Sequence, residues 1–554
     1  MPCSDALLRK LLTRSASVLA LSLLAAPAAF QAVPAVAQER DEDAAMEAVL
    51  RAAEAMGGME AISGAERMQL YGYAQLADGF GSGNVVASVH SPQKYGAHDD
   101  FQLLWDLENG RYMERDRDYL LFPFASSRAH DYSLNRSVLD GETTFQIDAD
   151  GAASPGGDAF ELRMWSLAYN PVAALQAALA SGSVLSDVHV GAEGKVTLDV
   201  ATAGGERFTL GFDWQTGLPS SFSWSGPNHL LGEVRYTTHW TGYVPYNGIK
   251  LPLGLVTNWD WRDLDFYKIY GEGWIVNGEI PDLAAPDGMA GGESNSRELE
   301  VTQAGEGIWY ISSGTTVVEF ADHLLAFELG GFGYDDETLP VIELARSLVP
   351  GKPLTHYIAS HQHDDHSSGL RTALAEGLTV ISHRGNEDMF REMASRPAPN
   401  YPDALHRDPQ PLRFTAVDDH LRIEDGKRTL DIYHVVSHNH MANALFAYDP
   451  DSRTMIAADI IPASEWQWWP DAYLDNLDYY GLKVDTFVST HFGVMDHQGV
   501  LDFLATGREA VQRHCLEQAR AGTYRTGCPP FFTRGDWIEG LDEEFDLPFE
   551  GAAD

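Results

Sequence analysis

Cysteine is nearly absent: the 554 residues contain three, Cys3, Cys515 and Cys528. That scarcity excludes a disulfide-dense scaffold, and the distance of all three from any histidine cluster argues against a cysteine metal ligand. Basic residues are few as well. The 38 Lys and Arg stand against 81 Asp and Glu, for a formal net charge of −43. Coulomb repulsion on that scale argues against nucleic acid or anionic lipid as a partner. It also disfavours a polyanionic substrate unless metal ions reverse the field locally. Beyond the first residues, no stretch approaches the roughly eighteen uninterrupted apolar positions of a membrane-spanning helix, so stable membrane insertion is not expected.

The N-terminus carries an address. Arg9, Lys10 and Arg14 precede the apolar run Ser17–Phe30, and Ala35-Val36-Ala37 offers a small-residue cleavage site before Gln38. This is the pattern of a secretory signal peptide over residues 1–37, which places the mature protein in the periplasm or outside the cell. Cys3 leaves with that segment. Cys515 and Cys528, an even pair in an oxidising compartment, are expected to bond, closing a short loop worth roughly 3 kcal/mol in the chain-entropy picture.

What remains is rich enough to fold. Hydrophobic residues make up 44% and aromatics 11%, and the length suits two domains. Residues 41–58 have helical apolar spacing stopped by Gly57-Gly58. From Met68 the pattern becomes strand-like, with Met68–Leu76, Asn84–Ser91, Lys195–Val200 and Phe208–Phe212 separated by turn residues and interrupted by a helix over Pro171–Ala180. Residues 38–290 therefore read as a β-rich, mainly antiparallel domain. Its half-barrel-like pattern resembles periplasmic lipoprotein carriers in outline only. It could cover a neighbouring site, bind a lipophilic ligand or meet an envelope partner. The small, polar stretch Leu283–Glu298 contains the linker, set at 291–298. From 299 to 554 short apolar strands alternate with helices, an α/β pattern.

The chemistry is concentrated in His361-Gln362-His363-Asp364-Asp365-His366, directly after the strand-like Leu354–Ser360. In an extended segment alternate side chains share a side, so His361, His363 and Asp365 converge and His366 turns toward a neighbouring position. Imidazoles and carboxylates at this density suit zinc, with iron and manganese as alternatives. Downstream, the strand Thr429–Ser437 ends in Ser437-His438-Asn439-His440. The strand Thr454–Ala458 runs into Asp459, and Val484–Ser489 leads to His491.

This HxHxDH run and the residues after it resemble the metallo-β-lactamase superfamily, over about Glu298 to Met495. The resemblance implies an αββα sandwich. It implies one metal on His361, His363 and His440, a second on Asp365, His366 and His491, and Asp459 between them. The step from the histidine to the hairpin Leu445–Pro450 favours His440 over His438, with His438 and His434 in supporting positions. All ligands would be His or Asp, unlike β-lactamases with a cysteine at the second metal. Flavodiiron proteins have Glu where His363 stands. The implied activity is that of a zinc-dependent hydrolase with two Zn2+, in which a metal-bridging hydroxide attacks a carbonyl of a small-molecule substrate (lactone, ester, β-lactam or thioester), with Asp365 orienting the water or relaying its proton. The competing readings are a mononuclear iron oxygenase of the same fold, similar to persulfide dioxygenases, and a metal-stabilised periplasmic binding or carrier protein. Trp466, Trp468, Trp469, Tyr479 and Tyr480 are candidate walls of an apolar pocket, and His383 a candidate supporting residue.

Overall fold

The computed structural model describes residues 35–78, 85–91, 94–120, 134–191, 194–262, 264–289, 298–329, 335–438, 440–462 and 472–520. The segment before residue 35, most of the linker, the three tryptophans of the 466–469 region and Cys528 lie outside them, as does the side chain of Cys515. Among the described residues no helix is long and apolar enough to cross a membrane.

The helix Ala35–Met56 opens the described chain, beginning within the small-residue stretch and ending where Gly57 and Gly58 take positive φ. The N-terminal region is then organised by one thirteen-stranded antiparallel sheet. Its first strand, Arg67–Asp78, lies in the middle, paired on one side with Lys94–Asp106 and on the other with the last strand, Asp265–Val276. The chain thus runs from the centre to one edge at Ala153–Pro155, crosses through two helices, and returns from the other edge at Val184–Val190. Those helices, Ala159–Ala168 and Pro171–Leu179, are started by Asp158 and Asn170, whose side chains accept from the first free N–H groups. Carbonyls near the end of the first are claimed by the sheet: Trp105 Nε1 donates to Ser166 O and Trp240 Nε1 to Ala168 O, both at 2.9 Å.

Residues 85–91 depart from the expected strand over Asn84–Ser91. They form bends and turns, because their backbone groups bond locally, to the Arg262 side chain and to Ala442 of the C-terminal region instead of to a ladder of the described residues.

The C-terminal region is a sandwich of a seven-stranded and a six-stranded sheet. The first is antiparallel from Val301 to Phe327, then continues parallel through Leu354–Ile358, Thr379–His383 and Phe414–Val417. Alternation along the strands sorts the layers. Leu325, Phe327, Ile358 and Ile381 meet Leu445, Ala447, Ile456 and Val488 between the sheets. On the outer face of the second sheet, Phe446, Met455 and Phe487 pack with Tyr473 and Leu477 of the helix Ala472–Tyr480. The outer face of the first sheet, with Leu324, Ala326, Tyr357 and Val380, belongs to the same apolar cluster as the helix residues Met389 and Phe390 and the N-terminal residues Trp259 and Trp261. The whole is the expected α/β class, strand-rich, with helices outside a two-sheet core.

Candidate metal centre

Four strands, Leu354–Ile358, Thr429–His434, Thr454–Ala457 and Thr486–Ser489, deliver their C-terminal ends to one end of the sandwich, and His361, His440, Asp459 and His491 follow them. Leu445 N donates to Ser360 O at 2.9 Å, tying the two sheets together there. The strand before the histidine motif stops at Ile358, and a four-residue helix, Asp364–Ser367, begins directly after His363. Extended alternation therefore does not bring Asp365 round, contrary to the sequence-based expectation. Asp365 and His366 sit on a helical turn, stabilised by Ser367 N donating to His363 O (2.9 Å) and by the buried Tyr357 hydroxyl donating to His366 O (2.7 Å).

The seven side chains converge in two groups. His361, His363, His440 and Asp459 each offer a donor atom, all within 4.8 Å of one another, and Asp365, His366 and His491 do the same. Asp459 faces both groups with different oxygens. Its Oδ2 lies 2.9 Å from His440 Nε2 and 3.6 Å from His361 Nε2, while Oδ1 lies 2.8 Å from His491 Nε2 and 3.3 Å from His366 Nε2. His361 Nε2 and His363 Nδ1 are 2.9 Å apart, and His366 Nε2 is 3.1 Å from Asp365 Oδ2.

Electrostatics follow from this crowding. Burial alone would raise the Asp459 carboxyl, but His366 and His491 outweigh it and hold it well below the usual carboxylate range. Burial would lower His366, and Asp365 and Asp459 instead lift it well above the ordinary imidazole value. His361, with burial and then His366 acting on it, falls to about 4. A sealed carboxylate beside a half-buried one thus favours positive charge between them, which a divalent cation would supply. His366 Nε2 is buried and faces both carboxylates, 3.1 Å from Asp365 Oδ2 and 3.3 Å from Asp459 Oδ1, so this nitrogen is turned into the shared space. An all N/O donor set of this kind fits zinc, iron or manganese.

Several supporting residues surround the cluster. His438 lies beside it and works on the backbone instead, with its Nε2 2.8 Å from the Asp459 carbonyl oxygen and its Nδ1 accepting from His440 N. His434 donates from Nε2 to Ala442 O (2.7 Å) and stacks at 4.5 Å on His383, which burial and then His434 bring down to about 4. Ser360 Oγ is 2.8 Å from His361 Nδ1. Glu328 is not apparent from the sequence. Its Oε1 accepts from Ser360 N (2.9 Å), and its Oε2 lies 3.6 Å from His366 Nδ1, the nitrogen turned away from the cluster. Its one signal was position, an acid directly after the apolar strand Leu324–Phe327, and its φ of 60° is visible only in the fold. Tyr479 and Tyr480 are not walls of this space: Tyr479 is exposed, and Tyr480 packs on Tyr433 at 4.5 Å and donates to His434 O, in the outer layer of the second sheet.

No family model matches the chain, and no curated protein matches it. Solved structures do. The DIM-1 metallo-β-lactamase exposed to ceftazidime is 12% identical, over 39% of this chain and 100% of that one, with a TM-score of 0.30. A metallo-β-lactamase from Pontibacter korlensis is 14% identical, over 38% and 99%, with a TM-score of 0.29. One from Hirschia baltica is 12% identical, over 38% and 98%, with a TM-score of 0.28. Likeness at this level says nothing of chemistry, which has to be read from the side chains themselves.

Proposed function

We propose that the protein is an exported, binuclear metal-dependent hydrolase acting on an uncharged or modestly charged carbonyl compound: a lactone, ester, β-lactam or thioester. The observation that carries this reading is the Asp459 carboxylate, whose two oxygens are turned to two separate donor groups. His361, His363 and His440 with Oδ2 would hold one cation, and Asp365, His366 and His491 with Oδ1 the other. Zinc is the first candidate, with iron and manganese behind it. Divalent cations so placed supply water ionised near neutral pH and polarise the carbonyl under attack.

The chain's own residues divide the remaining work. Asp459 is sealed, its side chain 6% exposed, whereas Asp365 and His491 are 24% and 27% exposed and form the open side. Substrate therefore meets Asp365, which can take a proton there and return it to the leaving group. His361, His363 and His366 are closed off from solvent and hold their rings in place through Ser360, the short helix and Glu328. The net charge of −43 repels anions and leans the substrate toward neutral compounds.

Elemental analysis of the mature protein, joined to a panel of lactones, β-lactams, aryl esters, thioesters and phosphodiesters, tests the proposal. Two zinc per chain with turnover of one carbonyl class is the expected result. One iron per chain with oxygen consumption would replace it by the oxygenase reading, and metal without turnover of any class by the carrier reading.

A further inference from the structure

Residues 85–91 belong by sequence to the N-terminal region, yet their backbone bridges that region and the loop after His440. Ala442 N donates to Val85 O at 2.8 Å, and Arg262 Nη1 donates to Ala87 O at 2.9 Å. Arg262 sits at the turn between the strands Ile249–Trp259 and Asp265–Val276, with a left-handed φ of 57°. It is held from the other side: its Nε donates to Glu392 Oε2 (2.8 Å), and its guanidinium lies 4.6 Å over the ring of Trp261, whose Nε1 donates to the same oxygen (2.9 Å). Glu392 lies on the helix Glu387–Ser395, and Asn386, directly before that helix, donates from Nδ2 to Asn443 O (2.9 Å).

These bonds converge on the few residues after His440. Ala442 N is taken by Val85, Ala442 O by His434 and Asn443 O by Asn386. An imidazole on a loop can meet a cation well only if its backbone is fixed within a fraction of an ångström, and each such bond removes freedom that binding would otherwise have to remove. Resting on the metal-centre reading above, we infer that the N-terminal region is a working part of the centre. Arg262 and Glu392 are positioning residues that, through segment 85–91, hold the His440 loop and set the affinity of the group formed by His361, His363 and His440. The N-terminal region thereby completes the site.

Cobalt(II) titration of the full-length metal-free protein, followed by visible absorption and by chelator competition, tests this. In Arg262→Ala one equivalent is expected to bind about 10-fold or more weakly with altered absorption bands while the other is unchanged. Arg262→Lys should recover part of the loss, and hydrogen exchange at the Ala442 amide should quicken in Arg262→Ala. Arg396→Ala, which cuts another ion pair of the same turn, to Asp260 at 2.8 Å, should leave both equivalents as in wild type. Should Arg262→Ala fold poorly, Glu392→Gln removes the anion that holds Arg262 and reads the same effect. Wild-type affinities in Arg262→Ala, or equal losses in Arg396→Ala, would overturn the inference while leaving the hydrolase reading intact. Failure of wild-type protein to take up any metal would overturn both.

Discussion

Asp459 occupies the point where the two donor groups meet, and its replacement separates the charge it supplies from the space it fills. Asp459→Asn keeps the volume but halves the negative charge shared with Asp365, so under the proposed binuclear hydrolase reading metal uptake is expected to drop from two equivalents to one or none, with hydrolysis falling by at least ~100-fold. Elemental analysis decides it: two retained equivalents would rule out a bridging role. His438→Ala should act more mildly, because His438 bonds the backbones of Asp459 and His440 and not their donor atoms; weakening of roughly 10-fold to 100-fold in metal affinity is expected, without loss of stoichiometry. A different residue-scale test lies in the N-terminal sheet. Burial, then Asp116, raise the Glu114 carboxyl to about 7, with the Tyr267 hydroxyl donating to it at 3.0 Å. The folded protein therefore holds this proton more tightly than the unfolded chain. Its stabilisation is complete below about pH 4.5 and is lost as pH rises through 7, a change of up to about 3 kcal/mol. Urea midpoints across that range should fall in wild type relative to Glu114→Gln, and parallel curves would refute the assignment.

Elements matter through the loops they release at the rim. Gly314, with φ of 91°, lies so close to the strand end carrying His491 that an added Cβ would come within 3.0 Å of Thr490 O and 2.9 Å of its Cγ2. Gly314→Ala combines a backbone conformation unsuited to a side chain with displacement of Thr490, next to His491. A loss of about 1–3 kcal/mol in stability is expected, with metal affinity reduced at the group holding His491 and not at the group holding His440; equal loss at both would argue for general unfolding. At this scale the strands were largely readable. Thr429–His434, Leu445–Asp449 and Thr486–Ser489 announce themselves as short apolar runs between turn residues. Segment 85–91 was not: Val85, Val86 and Val89 imitate a strand, but among the described residues no ladder takes its backbone, which bonds instead to residues 262 and 442.

Across the whole molecule, the two architectures share one apolar cluster, in which Trp259 and Trp261 of the thirteen-stranded sheet join Met389, Phe390 and Met393 of the C-terminal region. Polar bonds seal its rim: Asn400 reaches both carboxylate oxygens of Glu233, at 2.8 Å and 2.9 Å, and Arg396 reaches Asp260. Unlike a wet interface between independent domains, such a junction should melt with both parts. Calorimetry of the metal-free protein is expected to show one transition, and two separated transitions would contradict a common core. The amino-acid sequence by itself determined the kinds of donor and their order, from His361 to His491, because ligands that follow apolar strands leave a local trace in the chain. The spacing to the hairpin already favoured His440 over His438, but only the tertiary structure decided that Asp365 arrives on a helical turn, that Glu328 stands behind His366, and that an N-terminal segment grips the His440 loop. The turn at Asp365 is too short to leave a periodicity, and the other two depend on contacts between residues distant in the chain, which leave none to read.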